Sequence, residues 1–136
     1  MLSFFIIKRV FIIVKKSSDS SYLLLISNKK HRPMGLPGGR YDSDDKGPLK
    51  TAHRELFEET SLNIEDFSRF KYLGLISNKL FYLLEINDKE ADSIKVSHEH
   101  IDYLFYRHIE LIPELIKDHS GGTSSVAFKQ FVIKRV

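Results

Sequence analysis

The residues of this sequence best suited to chemistry are three glutamates, Glu55, Glu58 and Glu59. In a helix of about 3.6 residues per turn they lie at i, i+3 and i+4 and share one face. Like charges at this spacing destabilise a helix, especially near its negative carboxyl end, so a bound cation is the natural explanation. Oxygen ligands favour a hard ion, Mg²⁺ or Mn²⁺, over zinc. The alternative is a solvated acidic face with Arg54 as its counter-charge.

A helix that presents these glutamates is predicted from Pro48 to about Thr60. Proline suits the first helical position, where its missing N–H costs nothing. An apolar stripe for packing on a core recurs every three or four residues, at Leu49, Ala52 and Leu56. The segment before the helix, residues 27–46, loses apolar periodicity in favour of Gly, Pro and charged residues. We predict a long structured loop there, the usual home of functional residues.

Strand-like segments lie on both sides of this helix. Apolar residues within the first fourteen positions and the run 22–26 flank a polar segment and predict a hairpin of buried strands. Residues 72–77 and 80–86 predict a second hairpin turning at Asn78-Lys79. A further strand is expected at 101–106, after a polar loop at 87–98. A short helix from Pro113 and a last helix capped by Ser124 or Ser125 complete the elements. Strands mixed with helices and no internal repeat predict one α/β layered domain over residues 1–136.

Composition bounds the classes of protein. The chain has 136 residues, enough for one domain with one sizeable core, and its 21 Lys and Arg against 18 Asp and Glu give a net charge of +3. That excess suits a polyanionic ligand but is far from that of a dedicated nucleic-acid binder, and no direct nucleic-acid binding is predicted.

Cysteine content and the N-terminal residues bear on location. No cysteine is present, which excludes a disulfide scaffold, a thiolate zinc site and a cysteine nucleophile, and fits a reducing compartment. Lys8 and Arg9 interrupt the apolar N-terminal residues, so no run approaches the ~20 residues of a membrane helix. We expect a cytoplasmic protein that is not bound to a membrane.

The predicted helix and the glycine-rich segment before it resemble the signature of the Nudix (MutT-like) hydrolases. That signature is G-x5-E-x7-R-E-U-x-E-E-x-G-U, with U apolar, and here it runs from Gly39 to Leu62. The core R-E-U-x-E-E element matches at every fixed position, and Leu36-Pro37-Gly38-Gly39 is typical of the family. The resemblance implies an α/β/α sandwich with a mixed β-sheet between helices. It also implies Mg²⁺-dependent hydrolysis of a pyrophosphate bond in a nucleoside diphosphate linked to another moiety.

The resemblance further implies roles for individual residues. Glu58 and Glu59, with the backbone carbonyl of Gly38, would hold Mg²⁺ or its substitute Mn²⁺. Glu55 would ligate the metal or deprotonate the attacking water, and subgroups differ in which Glu is the base. Arg54 would orient the carboxylates through a bidentate pair.

A second segment, S-H-E-H-x-x-Y from Ser97 to Tyr103, resembles a stretch of Nudix enzymes that cleave diadenosine polyphosphates. Glu99 is therefore a candidate fourth metal ligand or base, the alternative being a loop carboxylate facing water. Tyr103 could bind substrate, although its alternation with Leu104 and Phe105 also fits core packing. A zinc pair of His98 and His100 is not favoured without a cysteine or a third histidine nearby.

Other candidate substrate contacts are Gly39 in the signature and Arg32, which follows Lys29, Lys30 and His31 and could reach substrate phosphates. The alternative for these basic residues is a solvated loop tip. Favoured substrates are dinucleoside polyphosphates or nucleoside triphosphates. A capped RNA end stays open, because it is chemically a diphosphate-linked nucleotide.

Three departures from the signature bear on activity. There is one residue too many after Gly39, Lys46 stands where the family has Glu, and Ser61 replaces the last Gly. Asp44 or Asp45, displaced by the extra residue, could replace the missing Glu. A left-handed Ser61 would cost on the order of 1 kcal/mol. The alternative function is therefore a catalytically impaired Nudix-fold nucleotide-binding module. Many relatives pair, so a homodimer is also an expectation.

Overall fold

The computed structural model describes residues 6–27, 34–98, 100–107, 110 and 123–133. In chain order the described elements are β1 Arg9–Lys16, β2 Ser21–Ser27, β3 Met34–Gly35, β4 Gly38–Arg40, α1 Pro48–Thr60, β5 Lys71–Ile76, β6 Lys79–Ile86, α2 Asp88–Asp92, β7 His100–Arg107 and α3 Thr123–Phe131. Two short 3-10 turns lie at Ser43–Asp45 and Phe67–Arg69.

The strands form one mixed sheet in the order β3-β2-β1-β6-β5, with β4 also beside β1 and β7 beside β2. β1 and β6 run parallel, and the other pairs are antiparallel. β1 and β2 pair only near their turn, at Lys15 with Tyr22 and Lys16 with Ser21. Beyond it they separate, and the glycine-rich segment enters beside β1, where Ile12 N–H donates to Pro37 O at 2.9 Å. The separation of these strands therefore makes room for the glycines.

Two apolar layers lie on opposite faces of the sheet. Side chains alternate along a strand, so β1 sends Val10, Ile12 and Val14 into one cluster and Phe11 and Ile13 into the other. The first cluster contains the buried side chains of α1, Ala52 and Leu56. The second contains those of α3, Ala127, Phe128 and Phe131. The sheet is thus covered on both faces, and the predicted α/β/α sandwich is confirmed.

Several predicted elements are confirmed. The first hairpin is present, and α1 begins at Pro48 and ends at Thr60. Tyr103 and Phe105 are half-buried while Leu104 is exposed, so β7 has the predicted alternation. None of the described helices is long and apolar enough to span a membrane.

Other predicted boundaries were wrong. The second hairpin turns at Ser77-Asn78, one residue early, with Ser77 left-handed at a φ of 55°. The expected polar loop contains α2, which begins with a capping box between Asn87 and Glu90. The loop before α1 contains β3 and β4. α3 begins at Thr123, so the predicted caps, Ser124 and Ser125, lie inside it. The predicted Pro113 helix lies outside the described residues.

Candidate active site

The catalytic candidates of α1 differ in their exposure to solvent. The side chains of Glu55 and Glu59 are 15% and 13% exposed, whereas that of Glu58 is 55% exposed. Leu56, between them, is fully buried and fixes the orientation of this helix against the sheet. Two of the three carboxylates therefore lie in a low-solvent environment beside the glycine-rich segment, and the third lies at its margin.

Arg54 links the acidic residues of the site. Its Nε and Nη2 donate to the two oxygens of Asp45 at 2.9 and 2.8 Å, a bidentate pair. Its Nη1 donates to Glu55 Oε1 at 3.0 Å and to Glu58 Oε2 at 3.5 Å. Thr51 Oγ1 donates to Asp45 Oδ2 at 2.8 Å and holds the aspartate from a second side. The expected bidentate pair of Arg54 is therefore made with Asp45, and the two glutamates each receive one bond.

The structure distinguishes between the two aspartates that could replace the missing Glu. Asp45 faces Arg54, whereas Asp44 is exposed. Lys46, at the position where the family has Glu, ends the 3-10 turn in the left-handed region at a φ of 57° and is exposed. With the extra residue, the acid that meets Arg54 is Asp45, one position before the place where the family has Glu.

Electrostatics separate the acidic groups of the cluster. The hydrogen bonds from Arg54 lower the pKa of Asp45. The bond to Asp45 in turn raises the pKa of Arg54. Burial raises the pKa of Glu55, and although Arg54 opposes this shift, the nearby charge of Glu58 adds to it. Asp45 is thus a fixed anion, and Glu55 binds a proton more readily than an ordinary glutamate.

Two glycines bring β4 close to these carboxylates. Gly38 N–H donates to Glu59 Oε1 at 2.7 Å. A Cβ on Gly38, which has a φ of 155°, would overlap the carbonyl oxygen of Val10. A Cβ on Gly39 would instead overlap the Glu55 carboxylate. The consecutive glycines are therefore required by backbone packing at the first position and by the approach of Glu55 at the second.

The segment after α2 is bonded to the carboxyl end of α1. Lys95 N–H donates to Thr60 O at 2.9 Å, and Ser97 N–H donates to Glu59 O at 3.2 Å. These bonds satisfy terminal carbonyls that have no partner within a helix. Ser61 is left-handed at a φ of 66°, and its hydroxyl donates to Lys95 O at 3.1 Å.

His100 approaches the site in a way that sequence reasoning missed. Its Nε2 lies 4.0 Å from Glu59 Oε2, and both side chains are 13% exposed. Its Nδ1 lies 3.3 Å from Ser97 Oγ. His98, the other histidine of the zinc pair that the sequence did not favour, is exposed. The proximity depends on how β7 is placed relative to α1, about forty positions earlier in the chain, and no local sequence signal encodes it.

Tyr103, a predicted substrate contact, belongs to β7. Tyr103 lies opposite Leu25 in the sheet, packs against the α1-side core and meets Phe105 edge-on at 6.2 Å between ring centroids. Lys16 Nζ lies 4.6 Å from the centre of the Phe105 ring. Glu99 and the basic residues Lys29, Lys30, His31 and Arg32 lie outside the described residues.

The carboxylates of α1 are the kind of ligand that a hard divalent cation prefers, but they do not converge on one point. Among the described residues, no three Asp, Glu or His side chains converge closely enough to hold a metal ion. Glu55 and Glu58 turn toward Arg54, and Glu59 turns toward Gly38. All three supply carboxylate oxygens, the ligands of Mg²⁺ and Mn²⁺. The chemistry of the site fits such an ion, with Glu58 exposed and able to change rotamer.

A comparison with protein families identifies the fold and its signature. The model of the NUDIX domain matches residues 7–129, which include every described strand and the whole of α1 and α2. This chain belongs to the Nudix hydrolase family. Nudix hydrolases are pyrophosphohydrolases acting on phosphorus-containing anhydrides, and they generally use divalent metals. The predicted class of enzyme is confirmed.

Solved structures of Nudix proteins share this fold over most of the chain. A C. elegans Ap4A hydrolase in a binary complex is 18% identical with a TM-score of 0.67, over 94% of this chain and 98% of that one. The E. coli dihydroneopterin triphosphate pyrophosphohydrolase is 14% identical with a TM-score of 0.66, over the same shares, 94% and 98%. The NUDIX domain of Shewanella oneidensis NrtR, complexed with ADP ribose, is 17% identical with a TM-score of 0.61, over 79% and 76%. At these identities the likeness is one of fold. A search of curated protein sequences finds no match.

Proposed function

We propose that this Nudix hydrolase uses Mg²⁺ to cleave a pyrophosphate bond in a nucleoside diphosphate linked to another moiety. The observation that carries the proposal is the cluster on α1, where Arg54 bonds Glu55 and Glu58 while Asp45 secures the guanidinium. Side chains with these charges would have little reason to share one helix face in a protein that did not handle a cation or a phosphate.

The residues of the chain would divide the work of hydrolysis. Glu58 and Glu59, with Gly38, would hold the metal, which when bound neutralises diphosphate charge and polarises the attacked phosphorus. Glu55 would accept the proton of the attacking water, a role that its raised pKa favours. Arg54, held by its bonds to Asp45, would orient the carboxylates of Glu55 and Glu58. Glu99, in the segment that resembles diadenosine polyphosphate enzymes, is proposed as a further metal ligand or base.

Dinucleoside polyphosphates or nucleoside triphosphates are the favoured substrates. The resemblance of residues 97–103 to enzymes acting on diadenosine polyphosphates supports the first, and the net positive charge suits either polyanion. Two proteins that share the fold are named for polyphosphate substrates, an Ap4A hydrolase and a dihydroneopterin triphosphate pyrophosphohydrolase. Arg32 and Gly39 would contact phosphates, and Tyr103 the rest of the nucleotide.

Asp45 weakens the case for the impaired binding module. That alternative depended on the absence of a Glu at Lys46, because Arg54 would then lack its acid. Since Asp45 bonds Arg54 through both oxygens, the change at Lys46 does not leave the arginine without an acid. The retained anionic partner of Arg54 supports the enzyme over the binding module.

A cytoplasmic location and a homodimer are also proposed. The absence of cysteine fits a reducing compartment. Sedimentation of the purified protein at micromolar concentration tests the dimer, with a single species of about 32 kDa expected, twice the chain mass of 15.8 kDa.

The proposed activity is tested with a panel of nucleoside triphosphates, diadenosine polyphosphates, ADP-ribose, nucleotide sugars and capped RNA. Each is incubated with the protein in Mg²⁺, in Mn²⁺ and in chelator, and the products are resolved by chromatography. We expect metal-dependent cleavage of a polyphosphate substrate that is lost in Glu58→Gln and kept in Asp44→Asn. Cleavage of none of them, with a nucleotide still raising Tm in chelator, would favour the binding module.

A further inference from the structure

We propose that His100 is a positioning residue that orients the Glu59 carboxylate for metal binding. The inference rests on the proposed function, since it concerns a glutamate that would hold the metal. His100 belongs to β7 and Glu59 to α1, so the contact joins two elements that no local sequence pattern connects.

The Glu59 carboxylate is approached from two directions. Oε1 accepts the Gly38 N–H at 2.7 Å, which fixes the carboxylate on the side of β4. Oε2 lies 4.0 Å from His100 Nε2, on the side of β7. This second distance is about 1 Å longer than a direct hydrogen bond. The imidazole therefore borders the space that Oε2 occupies.

The orientation of His100 is set by its own neighbours. Ser97 Oγ lies 3.3 Å from Nδ1, and His100 N–H donates to Ser97 O at 3.0 Å. Ser97 Oγ thus faces one ring nitrogen, Nδ1, and leaves the other, Nε2, facing Glu59. An N–H at Nε2 would present a donor to the carboxylate, and ligating carboxylates are usually hydrogen-bonded in this way.

The backbone around His100 is held without its side chain. Lys95 N–H and Ser97 N–H donate to the last carbonyls of α1, and Ser61 Oγ donates to Lys95 O. On the other side His100 pairs with Ser27 of β2. Truncation of the imidazole should therefore leave the segment in place, so that a change in metal binding can be separated from unfolding.

The test compares His100→Ala, His100→Gln and His100→Asn, with His98→Ala as a matched control at an exposed histidine of the same segment. A glutamine amide reaches about as far as Nε2, whereas an asparagine amide reaches only as far as Nδ1. Mn²⁺ affinity is measured from the electron paramagnetic resonance signal of free Mn²⁺, and Tm without metal reports folding. The Mn²⁺ concentration for half-maximal cleavage is measured alongside.

We expect His100→Ala to raise the Kd for Mn²⁺ by about ten- to hundredfold, a range typical of residues that support metal ligands. His100→Gln should recover most of that loss, His100→Asn little of it, and His98→Ala should match the unmodified protein. Ser97→Ala removes the hydroxyl beside Nδ1 and should weaken Mn²⁺ binding by several-fold. This variant tests the inference if His100→Ala does not fold.

Two outcomes overturn this inference alone. In the first, His100→Ala binds Mn²⁺ as the unmodified protein does while that protein cleaves its substrate. In the second, the glutamine and asparagine variants lose affinity equally. If the unmodified protein neither binds Mn²⁺ nor cleaves any substrate, the proposed function fails and the role of His100 fails with it.

Discussion

Arg54 forms a bidentate ion pair with Asp45. Its Nε donates to Oδ1 at 2.9 Å and its Nη2 donates to Oδ2 at 2.8 Å. The family signature places the corresponding acid at the position of Lys46, one residue later. Here the extra residue before α1 forms part of a 3-10 turn, at the end of which Lys46 becomes left-handed and faces solvent. A one-residue shift thus exchanges which side chain meets Arg54 and keeps an anion there.

Asp45→Asn should lower the free energy of unfolding at pH 7 by about 1–2 kcal/mol, because Arg54 loses a charged partner that is partly screened by water. The pKa of Asp45 is lowered by folding. Its stabilisation is therefore present above the unfolded pKa of about 4 and is lost as pH falls through the folded pKa. Urea unfolding at pH 7 and in acid measures this, with Asp44→Asn as the control. A gap between Asp45→Asn and the unmodified protein that widens in acid would contradict the assigned pair.

Glu55→Gln should stabilise the protein while removing activity. Burial raises the pKa of Glu55, so its ionised form destabilises the folded state increasingly as pH rises above the ordinary glutamate range. Glutamine resembles the uncharged form and should raise Tm by a few degrees at pH 7, with a loss of about 10²–10⁴ in rate, as for removal of a general base. Thermal melts at pH 7 in chelator, paired with rate measurements in Mg²⁺, check both effects. A lower Tm for Glu55→Gln would show that its bond to Arg54 outweighs burial.

Gly39→Ala and Gly38→Ala should separate activity from stability. The Cβ at Gly39 meets the end of the Glu55 side chain, which can move, so Tm should change little while activity falls. The Cβ at Gly38 meets backbone at a φ unsuited to alanine, which should cost about 2 kcal/mol or more. Paired rates and denaturation curves decide between them. Full activity in Gly39→Ala would mean that Glu55 need not lie against β4.

Ser61→Gly and Ser61→Ala should differ in stability. Glycine relieves the left-handed strain of about 1 kcal/mol but loses the hydroxyl bond to Lys95 O. Alanine keeps the strain and loses the same bond. We therefore expect Tm to rank Ser61→Gly above Ser61→Ala, with the unmodified protein between or level with glycine. An alanine variant as stable as the glycine variant would rule out strain at this residue.

The parts of the fold predicted from sequence were those with strong local signals. Proline at the first turn and the apolar stripe that includes Ala52 and Leu56 predicted a helix from Pro48 to about Thr60, and α1 spans Pro48–Thr60. α2 was missed because Asp88–Asp92 buries only Ala91 and has no apolar stripe, although the capping box of Asn87 and Glu90 was legible. β4 was missed because Gly38–Arg40 has no alternation of apolar and polar side chains. It is a strand because it pairs with β1.

For the site, spacing on α1 was enough to place Glu55, Glu58 and Glu59 on one helix, since helical geometry is local. The choice between Asp44 and Asp45 was not available from sequence, because it depends on the phase of a three-residue turn. His100 was beyond reach for a different reason. Its approach to Glu59 depends on the sheet register and on how the segment after α2 caps α1.

The most direct test of the central claim is the rate of pyrophosphate cleavage by the unmodified protein and by Glu58→Gln, in Mg²⁺ and in chelator. Glu58 is largely exposed and its 3.5 Å pair with Arg54 contributes little to stability, so the variant should fold with an unchanged Tm. We predict cleavage that requires Mg²⁺ and falls by orders of magnitude in Glu58→Gln. Cleavage that persists in chelator, or that Glu58→Gln leaves intact, would contradict metal-dependent hydrolysis through the α1 glutamates.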